Sequence, residues 1–173
     1  MPYTNRVKAT IRPLVITVAA LLIAASAFSV AQPQQPASPI FGVTIPPGYR
    51  NWELVAPSQE TGSLDELRAV VGNALSMSAY RGGALPFPDG AILVKLAYKR
   101  VQSSEFPAAY VPGSPTTVQV MVKDSKRYAS TGGWGFGRFI NGVPVDEAQH
   151  RTCFACHAAH VQDHDFVFTR YAP

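Results

Sequence analysis

Cysteine is nearly absent from this chain, with two residues in 173, Cys153 and Cys156. That is too few for a disulfide framework, and a bridge across so short a span is sterically awkward. Charge of one sign is also scarce. Fifteen basic residues stand against 11 acidic, and Arg6, Lys8 and Arg12 all precede residue 32. The remainder holds 12 basic against 11 acidic residues, a balance of +1. No basic run with interleaved aromatics is left to bind nucleic acid. Internal repeats are missing, and so is any series of long amphipathic segments of the kind a helix bundle needs.

Residues 1–31 read as a secretory signal peptide. Arg6, Lys8 and Arg12 give the positive start, Leu14 to Ala25 the apolar stretch, and Ser29-Val30-Ala31 a small-residue cleavage site, with Ala25-Ser26-Ala27 as an alternative. An uncleaved anchor is the competing reading, since the apolar stretch from Pro13 to Ala31 approaches spanning length. Export to the periplasm is expected. Residues 32–39 (QPQQPASP) form a polar, proline-rich tether. Residues 40–173 are expected to make one domain with a sizeable core.

The chemistry sits late in the sequence. Cys153-Phe154-Ala155-Cys156-His157 is C-x-x-C-H, the attachment signature of c-type haem. On a helical turn two thiols reach two porphyrin vinyl groups, and the next imidazole falls under the iron as its proximal ligand. One covalently bound haem c is the expected cofactor. Zinc competes, because His150, His157, His160 and His164 surround the cysteines, but zinc gives no reason for a histidine directly after the second cysteine. A thioredoxin-like pair would open a helix in a βαβ unit, and none is visible.

The coarse pattern predicts a mainly β (α+β) fold, an antiparallel sheet with short helices and a C-terminal haem-bearing helix or loop. Strands are expected at Trp52–Val55, Leu67–Val71, Ala91–Val101, Thr116–Val122, Trp134–Ile140 and Phe166–Phe168. Helices are expected at Asn73–Tyr80, closed by Gly82-Gly83, and at Asp146–Ala159. This is not the pattern of an electron-transfer cytochrome c, which is all-helical with its haem motif near the N-terminus. A methionine sixth ligand would have to be Met77 or Met121, and both read as core residues. An iron with an open side, able to take a small molecule, is the expectation.

Lys95 lies amid Ala91-Ile92-Leu93-Val94-Lys95-Leu96-Ala97. A charged head there must snorkel, lose its proton or react. The plain alternative is a strand lysine reaching solvent at the sheet edge, as Lys99 suggests.

Several further stretches carry a resemblance. They are Gly48-Tyr49-Arg50-Asn51-Trp52, Phe87-Pro88-Asp89-Gly90-Ala91-Ile92-Leu93-Val94-Lys95 and Val122-Lys123-Asp124-Ser125-Lys126-Arg127-Tyr128. Gly132-Gly133-Trp134-Gly135-Phe136 and Asp165-Phe166-Val167-Phe168-Thr169-Arg170-Tyr171 complete the set. Together with C-x-x-C-H they resemble the cytochrome P-460 family and its β-rich relatives, the cytochromes c′-beta. The resemblance implies an antiparallel β domain, often a homodimer, and a lysine joined covalently to the porphyrin edge, for which Lys95 is the matching position. It implies oxidation of hydroxylamine to nitrogen oxides, with electrons passing to a redox partner. The alternative is a c′-beta-like protein binding or sensing nitric oxide or another small gas, and a further alternative is electron transfer. Hydroxylamine-oxidising members carry a carboxylate shortly before the first haem cysteine. Here an ungapped count lands on Ala148, so Glu147 beside it is the candidate distal base, unless Asp146-Glu147 is simply a solvated helix start. Phe87, Phe106 and Tyr110 are candidate aromatic caps, and Arg50, Arg68 and Arg138 candidate partners for the haem propionates.

Overall fold

The computed structural model describes residues 35–172. The expected signal peptide and the start of the expected tether lie outside them. Ser38, still within the expected tether, is buried, and its hydroxyl donates to the Phe136 carbonyl at 2.9 Å.

Six antiparallel strands form one sheet in sequence order: β1 (Glu53–Glu60), β2 (Glu66–Gly72), β3 (Ile92–Gln102), β4 (Tyr110–Lys123), β5 (Trp134–Ile140) and β6 (Val143–Pro144). Helix α1 (Ala74–Gly82) joins β2 to β3, and α2 (Glu147–Val161) follows β6. The mainly β, α+β expectation holds. Each helix begins on a side-chain cap: Asn73 Oδ1 accepts from the Ser76 N–H at 3.0 Å, and Asp146 Oδ1 from the Gln149 N–H at 2.8 Å. Gly83, at φ 62°, ends α1 in the left-handed conformation that favours glycine. No helix among the described residues is long and apolar enough to cross a membrane.

Two strands run further than their patterns suggest. Pro57 sits inside β1, and Pro112 and Pro115 inside β4, where the pairing with β3 shifts register. Prolines tolerated at an edge or bulge break the alternation by which strands are read. The expected last strand, Phe166–Phe168, does not form. Asp165 and Phe166 adopt left-handed φ values of 49° and 64°, and the N–H groups of Phe166 and Val167 bond to Val161 and His164 rather than to a sheet.

The two faces of the sheet have different fates. Val71, Val94 and Val120 lie side by side on the back face, with Phe139 on the same side. Phe41, Val43 and Tyr128 cover that side. Gly135 is required there, because a Cβ would fall 2.3 Å from the Tyr128 ring. On the front face one end is packed, with Trp134 fully buried against Phe87 at 5.7 Å and Phe87 against Tyr80 at 4.9 Å. The other end is not filled. It faces α2 across a cavity.

Candidate haem site

Register builds one wall of this cavity. Val70, Lys95, Gln119 and Arg138 are direct neighbours in one row across β2, β3, β4 and β5, and Leu93, Met121 and Phe136 form the next row on the same face. Glu60 and Arg68 add the rim nearest β1, and Cys153, Cys156, His157 and Phe168 the opposite wall. The space measures about 580 Å³, within the roughly 300–1,000 Å³ usual for cofactor clefts.

Cys153 and Cys156, three apart on α2, share a helix face, and both are free thiols. Burial pushes the Cys153 thiol up from its ordinary pKa. His157 Nδ1 lies 2.7 Å from the carbonyl oxygen of Phe166. Only an N–H can make that bond to a carbonyl, so Nδ1 carries the proton and Nε2 keeps a free lone pair. Phe136 and Phe168 close around the ring at 5.0 and 4.9 Å. Desolvation lowers the His157 pKa, which favours the neutral, ligating form.

Lys95 is half-buried. Its pKa falls from 10.5 to about 8, chiefly by desolvation and then by the Arg68 guanidinium. Arg68 is itself clamped between Glu60 and Glu66, the latter at 2.9 Å. Burial pushes the Glu66 carboxyl up, but hydrogen bonds from Thr116 and Arg68 outweigh it and hold the pKa below the usual value.

Glu147 is not brought to the cavity. It faces solvent at the first turn of α2, paired with Arg151. Glu60 is the one carboxylate in the cavity wall, and no motif pointed to it, because only strand register carries it there. The aromatic caps expected from sequence also lie elsewhere. Phe87 is in the core, Phe106 is exposed, and Tyr110 lies exposed beneath the Arg100 guanidinium at 3.8 Å. The aromatics that do line the space, Phe136 and Phe168, are those against His157. Of the three arginines, Arg50 bonds Tyr98 at the surface, whereas Arg68 and Arg138 line the cavity. Met77 is core; Met121 lines the cavity in the sheet wall, next to Phe136.

Three observations bear on whether a porphyrin fits. First, Arg138 Nε is buried with no hydrogen-bond partner. Such a donor is costly unless something accepts from it, and a carboxylate suits a guanidinium. Second, α2 buries only His150 and Val161 of its 15 residues. Phe154 adds partial packing against Phe136 and Phe166, yet a helix with so little buried surface is better held when another body fills the gap. Third, the donor set combines two thiols with a neutral imidazole whose Nε2 is free. A haem fits all three. Zinc fits poorly: no group of three or more His, Cys, Asp or Glu among the described residues could hold a metal ion. Both nitrogens of His150 are engaged, by Asp146 O at 2.8 Å and the Arg138 N–H at 3.1 Å.

The model of the family described as Cytochrome P460 matches residues 46–169, a span that includes every residue lining the cavity. No curated protein matches the chain.

Proposed function

The chain belongs to the cytochrome P-460 family, and from that premise we propose that it is a periplasmic mono-haem c-type cytochrome that oxidises hydroxylamine to nitrogen oxides. The observation carrying this reading is Lys95, a desolvated amine with a pKa near 8, in one cavity wall with Cys153, Cys156 and His157 opposite.

Bound there, a haem supplies an iron that takes up a small nitrogenous molecule and passes its electrons to a redox partner. Cys153 and Cys156 would hold it by thioether bonds and His157 Nε2 by the iron. Arg138, and Arg68 beside it, would meet its carboxylates. Phe136 and Phe168 keep water from the imidazole. Lys95, neutral in a substantial fraction near pH 8, has the nucleophilicity for a third covalent attachment at a porphyrin carbon, where an N–H and a C–H would give way to the N–C bond and two electrons would pass to an oxidant such as a peroxide. Protons released as hydroxylamine is oxidised need an acceptor, and Glu60 is the carboxylate available in the wall.

Binding of nitric oxide or another small gas is the second reading. It is favoured by one observation: Glu60 is engaged by Arg68, and Glu147 faces solvent.

The deciding experiment combines the optical spectrum of the ferrous protein, its intact mass and hydroxylamine turnover with an artificial acceptor. A strongly red-shifted Soret band, a mass lower by the hydrogens lost in forming an N–C bond at Lys95, and turnover support the oxidase. An ordinary five-coordinate spectrum without the bond or turnover, but with nitric oxide binding, favours the second reading.

A further inference from the structure

The carbonyl that fixes the His157 proton belongs to a segment held in an unusual way. Asp165 and Phe166 are consecutive non-glycine residues with positive φ, 49° and 64°. Side chains disfavour that region, so the conformation persists only where surrounding contacts over-determine it. Those contacts converge on Asp165. Its carboxylate accepts from Lys123 Nζ at 2.7 and 2.8 Å and from the Phe87 N–H at 2.8 Å. Its carbonyl accepts from Trp134 Nε1 at 2.8 Å. The Lys123 and Asp165 side chains are 6% and 8% exposed, and Lys123 also donates to the Gly132 carbonyl at 3.1 Å. The Phe166 ring seats on Gly132, where a Cβ would fall 2.1 Å from it.

A buried ion pair is a doubtful source of stability compared with an apolar pair of the same shape. This one does something an apolar pair would not, since it sets the backbone angles immediately before the Phe166 carbonyl. We infer that the Lys123–Asp165 pair is a positioning device for His157: it aims the Phe166 carbonyl at Nδ1 and so sets how basic the imidazole is toward iron. This rests on His157 being the proximal ligand. A strong Nδ1–H···O bond pushes electron density onto Nε2, strengthens the iron–histidine bond and favours the ferric state. Loosening the carbonyl weakens the bond and raises the midpoint potential.

The test uses full-length haem-loaded protein, reading the ferrous iron–histidine stretch by resonance Raman and the midpoint potential by titration. Asp165→Asn and Lys123→Met should both lower the stretching frequency and both raise the potential. Simple through-space electrostatics predicts opposite signs, because one change removes a negative charge and the other a positive one. A fall in potential in Lys123→Met, or a stretch unmoved in both variants, overturns the inference. Should either variant fail to accumulate, Trp134→Phe removes the indole N–H on the Asp165 carbonyl together with part of a buried ring and should move both readouts in the same direction; no movement overturns the inference equally. Val71→Ala, a core change on the back face of the sheet, should destabilise the protein without moving the stretch. Absence of an iron–histidine stretch in the unmutated protein would instead refute His157 as the ligand.

Discussion

The Arg138 N–H donates to His150 Nε2 at 3.1 Å, while His150 Nδ1 donates to the Asp146 carbonyl at 2.8 Å. One fully buried imidazole thus joins the strand that bears Arg138 to the helix that bears Cys153, Cys156 and His157. The sequence suggested His150 only as a zinc candidate. Replacing it with phenylalanine strands a buried donor and removes a bond at the first turn of the helix. We expect a loss of about 1–3 kcal/mol, read by denaturant unfolding of the haem-loaded protein, with the ferrous spectrum retained.

Arg138 should show opposite effects in two states of the protein. In a Cys153→Ala/Cys156→Ala chain, which cannot attach haem, Arg138→Met removes a buried unpartnered nitrogen and is expected to stabilise by about 1–3 kcal/mol. In the haem-loaded chain the same change removes the group expected to meet a carboxylate, so stability should fall. Melting curves of the four proteins check the reversal. Stabilisation in both states would mean that no carboxylate meets Arg138.

Lys95 should titrate far from its neighbours. In the chain unable to attach haem, labelling of Lys95 by an amine reagent should rise with a midpoint near pH 8, against about 10.4 for ordinary lysines. Mass spectrometry of the labelled peptide gives the midpoint. The sign for stability follows. Below pH 8 both folded and unfolded chains hold the proton. From about 8 to 10.4 the unfolded chain holds more, so this group makes unfolding harder as pH rises through that window. Lys95→Met should remove that rise.

Much of the architecture was legible in sequence because period-two alternation and glycine or asparagine punctuation are local signals. Trp134–Ile140 and the Gly82-Gly83 stop of the first helix are examples. Pro57, Pro112 and Pro115 hid strand length, since an interrupted ladder looks like a loop. The haem motif was legible because its spacing is the chemistry itself. Glu60, Gln119 and the Lys123–Asp165 pair were not, because only register and long-range folding bring them to the cavity and its support. Glu147 shows the converse: close to the motif in sequence, it faces solvent at the first turn of α2.

The two carboxylates can be told apart in turnover. Glu147→Ala should leave hydroxylamine oxidation within about twofold, as expected for an exposed residue off the cavity. Glu60→Gln should lower it about 100-fold or more if Glu60 takes the protons, the usual scale for a lost general base. Equal, unchanged rates would leave neither as the acceptor and move weight to the ligand-binding reading.

Haem loss should act most strongly on α2. Phe154 packs against Phe166 and Phe136 at 5.3 and 6.5 Å, but only His150 in the first turn and Val161 at the last position are fully buried. Between them Cys153, Cys156 and His157 face the cavity. Helices of this length are marginal without tertiary packing. The sheet, by contrast, has its own core in Val55, Val94, Val120 and Phe139, all nearly inaccessible to solvent. A Cys153→Ser/Cys156→Ser chain should therefore keep α2 docked but exchange its amide hydrogens well before those of the sheet. Hydrogen exchange should place the loss of protection between residues 147 and 161. Full protection of that segment without haem would mean that the protein contacts of α2 suffice to dock it, and that the cavity is held open independently of its cofactor.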